Sequence, residues 1–451
     1  MNVPISTFLQ HLKFTPFTVC SIFVLIVCHD PIESLHMRKP DTIERLYLDF
    51  DGFFAAVEET ARPALRGKPI GVIPFEHTTA TMVIAANRKA KLKGVKTGVS
   101  VTDARRLCPD IALVPQSPDL YERAHRRLLL SVERVIPIDA VCSIDELTCR
   151  LDKGDIRDPH GLGQRIKARI REDVGDYLTC SIGMAPNRQL AKIAADMDKP
   201  DGLTILRPEE LPGRLLTLPL EDIPGIGGRI KTRLIDAGIW TMEALWKTQP
   251  KQLRAIWGNV TGERLWYALH GYEVQALPTS RAMFGHGRVL PPEWRDFTHA
   301  FEAARLLTIK AARRLRRGKY LANTFGLWLM MKEDNWHGER RLGEANDDHA
   351  GLTALTTLWQ IARRDLPSRS RIVQVHVAFY DLKPSDARQL DLLEQDDAVR
   401  RKWEKLSEAA DAINSKYAKT VLSVGPWTPP PGGYAGGKIA FSRVPDMEDF
   451  W

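Results

Sequence analysis

Hydrophobic and polar positions alternate over Leu46-Tyr47-Leu48-Asp49-Phe50-Asp51, with Leu46, Leu48 and Phe50 in one phase and Tyr47, Asp49 and Asp51 in the other. That period of two predicts a strand that ends in carboxylates. A second apolar run, Val141-Cys142-Ser143-Ile144-Asp145-Glu146-Leu147, also carries acids at its end, but here the two are adjacent. A regular strand would send neighbours to opposite faces, whereas a tight hairpin turn lets both reach one point. Helical periodicity covers Ala55 to Ala61, Val101 to Leu107, Leu120 to Val135 and Asn187 to Met197, and a basic helical turn runs from Asn87 to a stop at Gly94. Short strands are predicted at Pro69 to Ile73, Thr81 to Ala86 and Leu178 to Gly183. Strands alternating with longer helices predict an α/β sheet layer.

The pattern changes near Leu211. Ile223-Pro224-Gly225-Ile226-Gly227-Gly228 joins two helical stretches, a hairpin that leaves the N–H groups around Gly225, Gly227 and Gly228 open to a DNA phosphate without reading bases. Pro278-Thr279-Ser280-Arg281 reads as a linker. Beyond it the order is helix (Phe297 to Arg317), strand (Thr324 to Lys332), helix (Leu352 to Arg364) and strand (Ile372 to Phe379), with a further strand near Gly287 to Val289. That order predicts a small α+β domain. Its first helix ends in Arg313, Arg314, Arg316 and Arg317, a basic run that is expected to face DNA. Gln389-Leu390-Asp391-Leu392-Leu393 is a compact apolar anchor in a polar, acidic segment, suited to a partner's pocket. Residues 398–417 form an amphipathic helix with Val399, Trp403, Leu406, Ala410, Ile413 and Tyr417 as its apolar positions.

Bulk properties narrow the class only a little. The 451 residues suffice for two to four domains, and 64 Lys+Arg against 56 Asp+Glu leave a net charge of +8, a weak pointer to nucleic acid. Six cysteines, none in a C-x-x-C pair, predict neither a disulfide framework nor a zinc site and fit a reducing cytoplasm. Phe14 to Cys28 is apolar but shorter than the ~20 residues that span a bilayer. With Met37 just before the first strand, residues 1–36 read as a non-essential upstream extension, with a membrane anchor or a packed helix as the alternatives, and no membrane partner is expected.

Three carboxylates meeting at strand ends would make a hard, oxygen-rich, negative site. Such a site suits Mg²⁺, and two ions about 3.5–4 Å apart would activate a hydroxyl and stabilise a leaving pyrophosphate. The dense cationic cluster within Asn87 to Gly94, with Arg88, Lys89 and Lys91, is a candidate to hold a triphosphate beside such a site, the alternative being a merely exposed basic helix.

Together these residues resemble the Y-family lesion-bypass DNA polymerases, most closely the bacterial DNA polymerase IV type. The likeness is carried by Leu48-Asp49-Phe50-Asp51-Gly52-Phe53-Phe54, Ser143-Ile144-Asp145-Glu146, Ser181-Ile182-Gly183 through Lys192-Ile193-Ala194, Asp196-Met197-Asp198-Lys199-Pro200-Asp201-Gly202 and the Pro224-Gly225 hairpin. The resemblance implies an α+β right-hand polymerase: a palm over 43–208 with fingers inserted at about 55–117, a helical thumb at 209–277, a linker at 278–286, a little finger at 287–384 and a tail at 385–451. It implies metal binding by Asp49, Asp145, Glu146 and the carbonyl of Phe50. Phe54 falls at the steric gate against ribose, with Phe53 beside it under the nucleotide, and Lys199, Arg88 and Lys91 fall at the triphosphate. Gln389 to Leu393 looks like a sliding-clamp pentapeptide. The implied partners are primer-template DNA, deoxynucleoside triphosphates and the clamp, the implied cofactor is two Mg²⁺ ions, and the chain is expected to act as a monomer in the cytoplasm.

The chain departs from the family at the fingers, where Ala85, Arg88 and Lys91 replace the usual Thr, Tyr and Arg. It departs again after Glu146, where Leu147 and Thr148 replace Ala and an aromatic. The tail beyond Leu393 looks more like that of UmuC-type proteins. Two rival readings follow: a non-catalytic DNA-binding accessory on the same fold, motivated by the altered fingers, and another palm-type enzyme such as a nucleotide cyclase.

Overall fold

The computed structural model describes residues 37–74, 81–275, 281–388, 397–417 and 420–425. The upstream extension 1–36 and the anchor 389–393 lie outside the described residues. From Lys39 onward the chain forms one compact unit.

The first half runs β1 (Arg45–Phe50), α1 (Phe53–Ala61), β2 (Ile70–Ile73), β3 (Ala85–Ala86), α2 (Arg88–Leu92), α3 (Val101–Leu107), β4 (Ala112–Pro115), α4 (Pro118–Glu133), β5 (Ile138–Val141) and β6 (Glu146–Arg150). It continues through α5 (Lys153–Arg157), α6 (Pro159–Val174), β7 (Cys180–Ala185), α7 (Arg188–Met197) and β8 (Leu203–Ile205). Five of these strands form a sheet ordered β5-β6-β1-β7-β8, antiparallel except for β7 and β8. The predicted alternation in β1 is the reason it sits at the centre. Leu46, Leu48 and Phe50 enter a core with Leu128, Val132, Leu162 and Ile166 of α4 and α6. Tyr47, in the other phase, packs with Leu190, Ala191 and Ala194 of α7. A smaller sheet, β3-β2-β4, carries α2 and α3 around a separate core of Val83, Ala90, Val95 and Ala104.

A helical segment follows: α8 (Gly228–Asp236), α9 (Met242–Trp246), α10 (Pro250–Trp257) and α11 (Val260–Leu269). The element before the Gly225 hairpin is a pair of 3₁₀ turns, Gly213–Thr217 and Leu220–Asp222, rather than an α-helix. Pro212 and Pro219 sit just before these turns, and proline, with its fixed φ, commonly opens short helical pieces and cannot sit within a longer helix. Asn187 ties this segment to the sheet. Its Oδ1 caps α7 by accepting Leu190 N–H at 2.9 Å, and its Nδ2 donates to the carbonyls of Ala268 (2.8 Å) and Tyr272 (2.9 Å).

The last part runs β9 (Met283–Val289), α12 (Phe297–Arg317), β10 (Tyr320–Met330), β11 (Asn335–Ala345), α13 (Asp348–Asp365), β12 (Gln374–Pro384) and α14 (Asp397–Tyr417). It is an antiparallel sheet ordered β11-β10-β12-β9, with α12 and α13 packed on one face. Two expectations are corrected. β9 begins at Met283 and takes in residues expected to be linker. β11 has no counterpart in the hydrophobic pattern, because it is an edge strand that is mostly exposed and whose sequence is mostly polar or charged (Asn335, His337, Glu339, Arg340, Arg341).

Asn187 is 3 % exposed and serves three backbone groups, so its loss removes the cap of α7 and two hydrogen bonds that hold the helical segment to it. Asn187→Ala is expected to cost roughly 2–4 kcal/mol, read as a lower midpoint in urea or thermal unfolding.

Candidate active site

Strand register brings the acids together. Asp49 of β1 lies directly across from Glu146 of β6, one step beyond the Leu48–Leu147 pair. Asp145 precedes β6, outside the ladder, in a turn closed by Cys142 N–H on the Glu146 carbonyl at 2.9 Å. The alternation rule therefore does not bind it. Its own carbonyl accepts the Phe50 N–H at 2.8 Å, which ties the turn to the end of β1. His125, buried in α4, holds the turn from behind through Nδ1 at 2.7 Å from the Ile144 carbonyl. A carbonyl can only accept, so Nδ1 carries the proton; burial lowers the His125 pKa and keeps the ring neutral.

Lysines from the α7 side face these acids. Lys199 Nζ stands 2.7 Å from Asp49 and 2.6 Å from Asp196. Lys192 Nζ stands 2.5 Å from Glu146 and 3.2 Å from the Tyr47 hydroxyl. Burial pushes Asp49 up to about 7 even though Lys199 opposes the shift. Burial also raises Asp145, whose carboxylate accepts a 2.6 Å hydrogen bond from the Ser143 hydroxyl. Burial works against the Glu146 anion too, but Lys192 outweighs it and holds that carboxyl below its ordinary range. As they stand, no three acidic, His or Cys side chains among the described residues are placed to hold a metal ion. The chemistry of the donor set nonetheless fits a hard cation: the donors are all oxygen, and Asp49 and Asp145 keep desolvated charge that the lysines do not fully balance.

Asp51 is engaged elsewhere by hydrogen bonds. It accepts from Thr179 Oγ1, Ser181 Oγ and Asp201 N–H, each at 2.8 Å, and so ties the end of β1 to the turn that carries Lys199. Gly52 adopts a left-handed φ of 56°, which a side chain resists, and turns the strand into α1. A Cβ there would meet the Ala86 carbonyl at 3.2 Å and Lys91 Nζ at 3.9 Å, which brings α2 to the edge of the site. Arg88 and Lys91 are both exposed on α2, whose start is capped by Asn87. Phe53 and Phe54 are buried, and Phe54 stacks on Tyr121 with ring centres 4.6 Å apart. The Tyr121 hydroxyl is fixed by a 2.7 Å bond to Glu58.

The fold and site can be set beside known proteins. The impB/mucB/samB family matches residues 48–196, a DNA polymerase-iota thumb domain matches 221–273, and the impB/mucB/samB C-terminal domain matches 281–392. A DNA polymerase IV of Moorella thermoacetica is 34% identical over 387 residues, covering 84% of this chain and 94% of the relative. One of Pelotomaculum thermopropionicum is 30% identical, covering 83% and 92%. Among solved structures, a Y-family DNA polymerase chimera superposes with a TM-score of 0.63 at 27% identity, over 75% of this chain and 98% of that one. The chain belongs to the Y family of lesion-bypass DNA polymerases.

In this polymerase the arginines at the end of α12 do not behave as the basic run suggested. Arg313 Nε donates to Asp411 at 3.0 Å, and Arg316 is paired with Asp348 (2.8 Å) and Asp411 (2.7 Å). Arg314 donates to the Gly285 carbonyl at 3.0 Å, and only Arg317 is exposed. The expectation that all four meet DNA is therefore corrected: α14 and the start of α13 supply acids that turn the run inward. Gly225, Gly227 and Gly228 are exposed at the N-terminus of α8, anchored by the buried Ile223 and Ile226. Tyr47, Lys192 and Asp196 stood in the sequence motifs without a role at the site, and His125 was missed. For Lys192 and Asp196 the signal was present, since four residues apart on a helix share a face.

Asp145 is desolvated and short of positive partners, so in metal-free polymerase its ionised form costs stability. Asp145→Asn is expected to raise the unfolding free energy by about 1 kcal/mol at pH 8. The raised native pKa means that the parent's deficit appears as pH rises past the unfolded value near 4 and is absent below it. Urea unfolding in chelator at pH 8 and at pH 3.5–4 checks this: the gain should shrink at the lower pH.

Proposed function

We propose that this polymerase extends a primer opposite damaged or undamaged template by nucleotidyl transfer at Asp49, Asp145 and Glu146. The observation that carries the reading is the Asp49–Glu146 register pair with Asp145 joined to it through the Phe50 N–H. These carboxylates and the Phe50 carbonyl would hold two Mg²⁺ ions, which when bound supply the positive charge that favours a 3′-alkoxide and a leaving pyrophosphate. Lys199 moves from Asp49 toward the triphosphate, while Asp196 and the Asp51-anchored turn keep it close. Arg88 and Lys91 add cations from α2. Lys91 acts as a point charge without the bidentate fork of arginine. Lys192 keeps Glu146 ionised and oriented. The N–H groups at Gly225, Gly227 and Gly228 bind a DNA phosphate without reading sequence. The anchor Gln389 to Leu393 binds the sliding clamp.

The charge chemistry favours catalysis over a purely DNA-binding accessory role, since desolvated carboxylates left short of cations are costly unless they serve a site. Asp145→Ala is expected to abolish primer extension in Mg²⁺ while primer-template affinity stays within about twofold, measured by gel extension and fluorescence anisotropy. Extension near the parental rate would remove Asp145 from the reaction.

Phe54 lies five residues after Asp49 and stacks on Tyr121, and in this reading its ring excludes a ribose 2′-hydroxyl. Phe54→Ala is expected to cost about 3 kcal/mol of stability through its lost packing. It should also relax the ribo-to-deoxy discrimination by about a hundredfold or more. Single-nucleotide insertion with matched substrates reads this as a ratio, which a loss of folded protein leaves unchanged.

Changing Gln389, Leu390 and Leu393 to alanine should leave basal extension unchanged and remove stimulation by the clamp, with clamp affinity down about a hundredfold or more in calorimetric titration.

A further inference from the structure

Helix α14 lies on the last domain with its polarity reversed. Its inner face is polar: Ser407 is 2 % and Asn414 1 % exposed, and Asp411 bridges Arg313 and Arg316. Glu404 pairs with Arg388, and the Ser407 hydroxyl accepts the Asp348 N–H that opens α13. Asn414 binds the returning chain, accepting from Val421 and Leu422 N–H and donating to the Leu422 carbonyl. Ion pairs and hydrogen bonds therefore hold the helix in place. Its apolar residues face outward instead: Val399 is 55 %, Leu406 50 %, Ile413 36 % and Tyr417 56 % exposed. A helix that served only its own domain would bury that stripe and expose the acids.

The stripe has a definite period. Val399, Trp403, Leu406, Ala410, Ile413 and Tyr417 are separated by four, three, four, three and four residues, the spacing of a coiled-coil seam. Trp403 and Ala410 form its inner edge, where Trp403 stacks on His349 at 4.2 Å. At about 100° per residue, the solvent edge falls to Lys402 and Lys416, both exposed, while Glu408 lies on the other side of the helix. The acids nearest the inner edge, Glu404 and Asp411, are already paired within the domain.

We propose that α14 docks an acidic amphipathic helix of a partner protein, whose apolar residues fill the Val399–Tyr417 seam and whose carboxylates meet Lys402 and Lys416. Charge decides the occupant. A second copy packed antiparallel sets Lys402 against Lys416, and a parallel copy leaves each lysine on the same side without an acid to meet, since the facing edge is already used by its own domain. The inference is independent of the polymerase reading, because no residue in it touches the catalytic carboxylates.

The test uses full-length protein and two labelled synthetic helical peptides with leucines at heptad seam positions, one flanked by glutamates and one by lysines. Fluorescence anisotropy should show the glutamate peptide binding at least about tenfold more tightly than the lysine peptide. Leu406→Glu with Ile413→Glu should remove that binding, with the melting temperature and primer extension unchanged. Lys402→Glu with Lys416→Glu should reverse the preference toward the lysine peptide, a result that loss of folding cannot produce. Equal or absent binding of the two peptides overturns the proposal. So does self-association through the stripe in sedimentation, or preference for anionic phosphatidylglycerol vesicles over the glutamate peptide. Binding that appears only after residues 426–451 are removed makes this chain's own tail the occupant, and overturns it as well.

Discussion

The structure depends on keeping three carboxylates together inside a protein. Asp49, Asp145 and Glu146 sit at the end of the central strand pair, and like charges held close in a low-dielectric setting repel strongly. Two devices make the arrangement tolerable. The antiparallel ladder of β1 with β6 and β7 fixes the backbone, so that repulsion cannot splay the acids without breaking sheet hydrogen bonds. The layer behind it delivers Lys192 and Lys199, each within 2.7 Å of a carboxylate. What remains is desolvation that the lysines do not offset on Asp49 and Asp145, whose carboxyls are both pushed upward by burial.

Seen from that constraint, the neighbouring elements divide into supports and probes. Asp51 and His125 are supports: one holds the turn bearing Lys199, the other the turn bearing Asp145. Asn187 is a support at longer range, coupling α7, and with it Lys192, to the helical segment that presents Gly225, Gly227 and Gly228. Around the left-handed turn at Gly52, Arg88 and Lys91 are exposed on α2, and Phe54 is buried in α1 against Tyr121. Of the positions that differ from the family pattern, Arg88 and Lys91 lie exposed on α2, whereas Leu147 and Thr148 lie in β6 beside Glu146.

The last domain applies the same electrostatic logic to a different end. Arg313 and Arg316, which a basic run would offer to DNA, are neutralised by Asp348 and Asp411. Those acids come from α13 and α14, so α14 is held by charge and hydrogen bonds, and its apolar positions remain outside. A surface that exposes a regular apolar seam is retained at a cost in solubility, which is reason to assign it a partner.

By itself the sequence determined the local pieces: the alternation that makes β1 a strand, the acids at its end, the helical period of α4, α7, α12 and α13, and the glycine-rich hairpin. These are short-range consequences of backbone geometry and side-chain phase, so they are readable without the fold. Edge strand β11 escaped because its pairing comes from a neighbour and leaves little hydrophobic pattern. Lys192 opposite Glu146, Lys199 between Asp49 and Asp196, and the Phe54–Tyr121 stack join residues far apart in the chain, and only the packing of α7 and α4 on the sheet chose them. The basic end of α12 shows the limit most clearly. Four arginines have the same charge wherever they lie, but whether that charge meets a phosphate or an aspartate is set by which helix lies over it, and only the tertiary structure decided that.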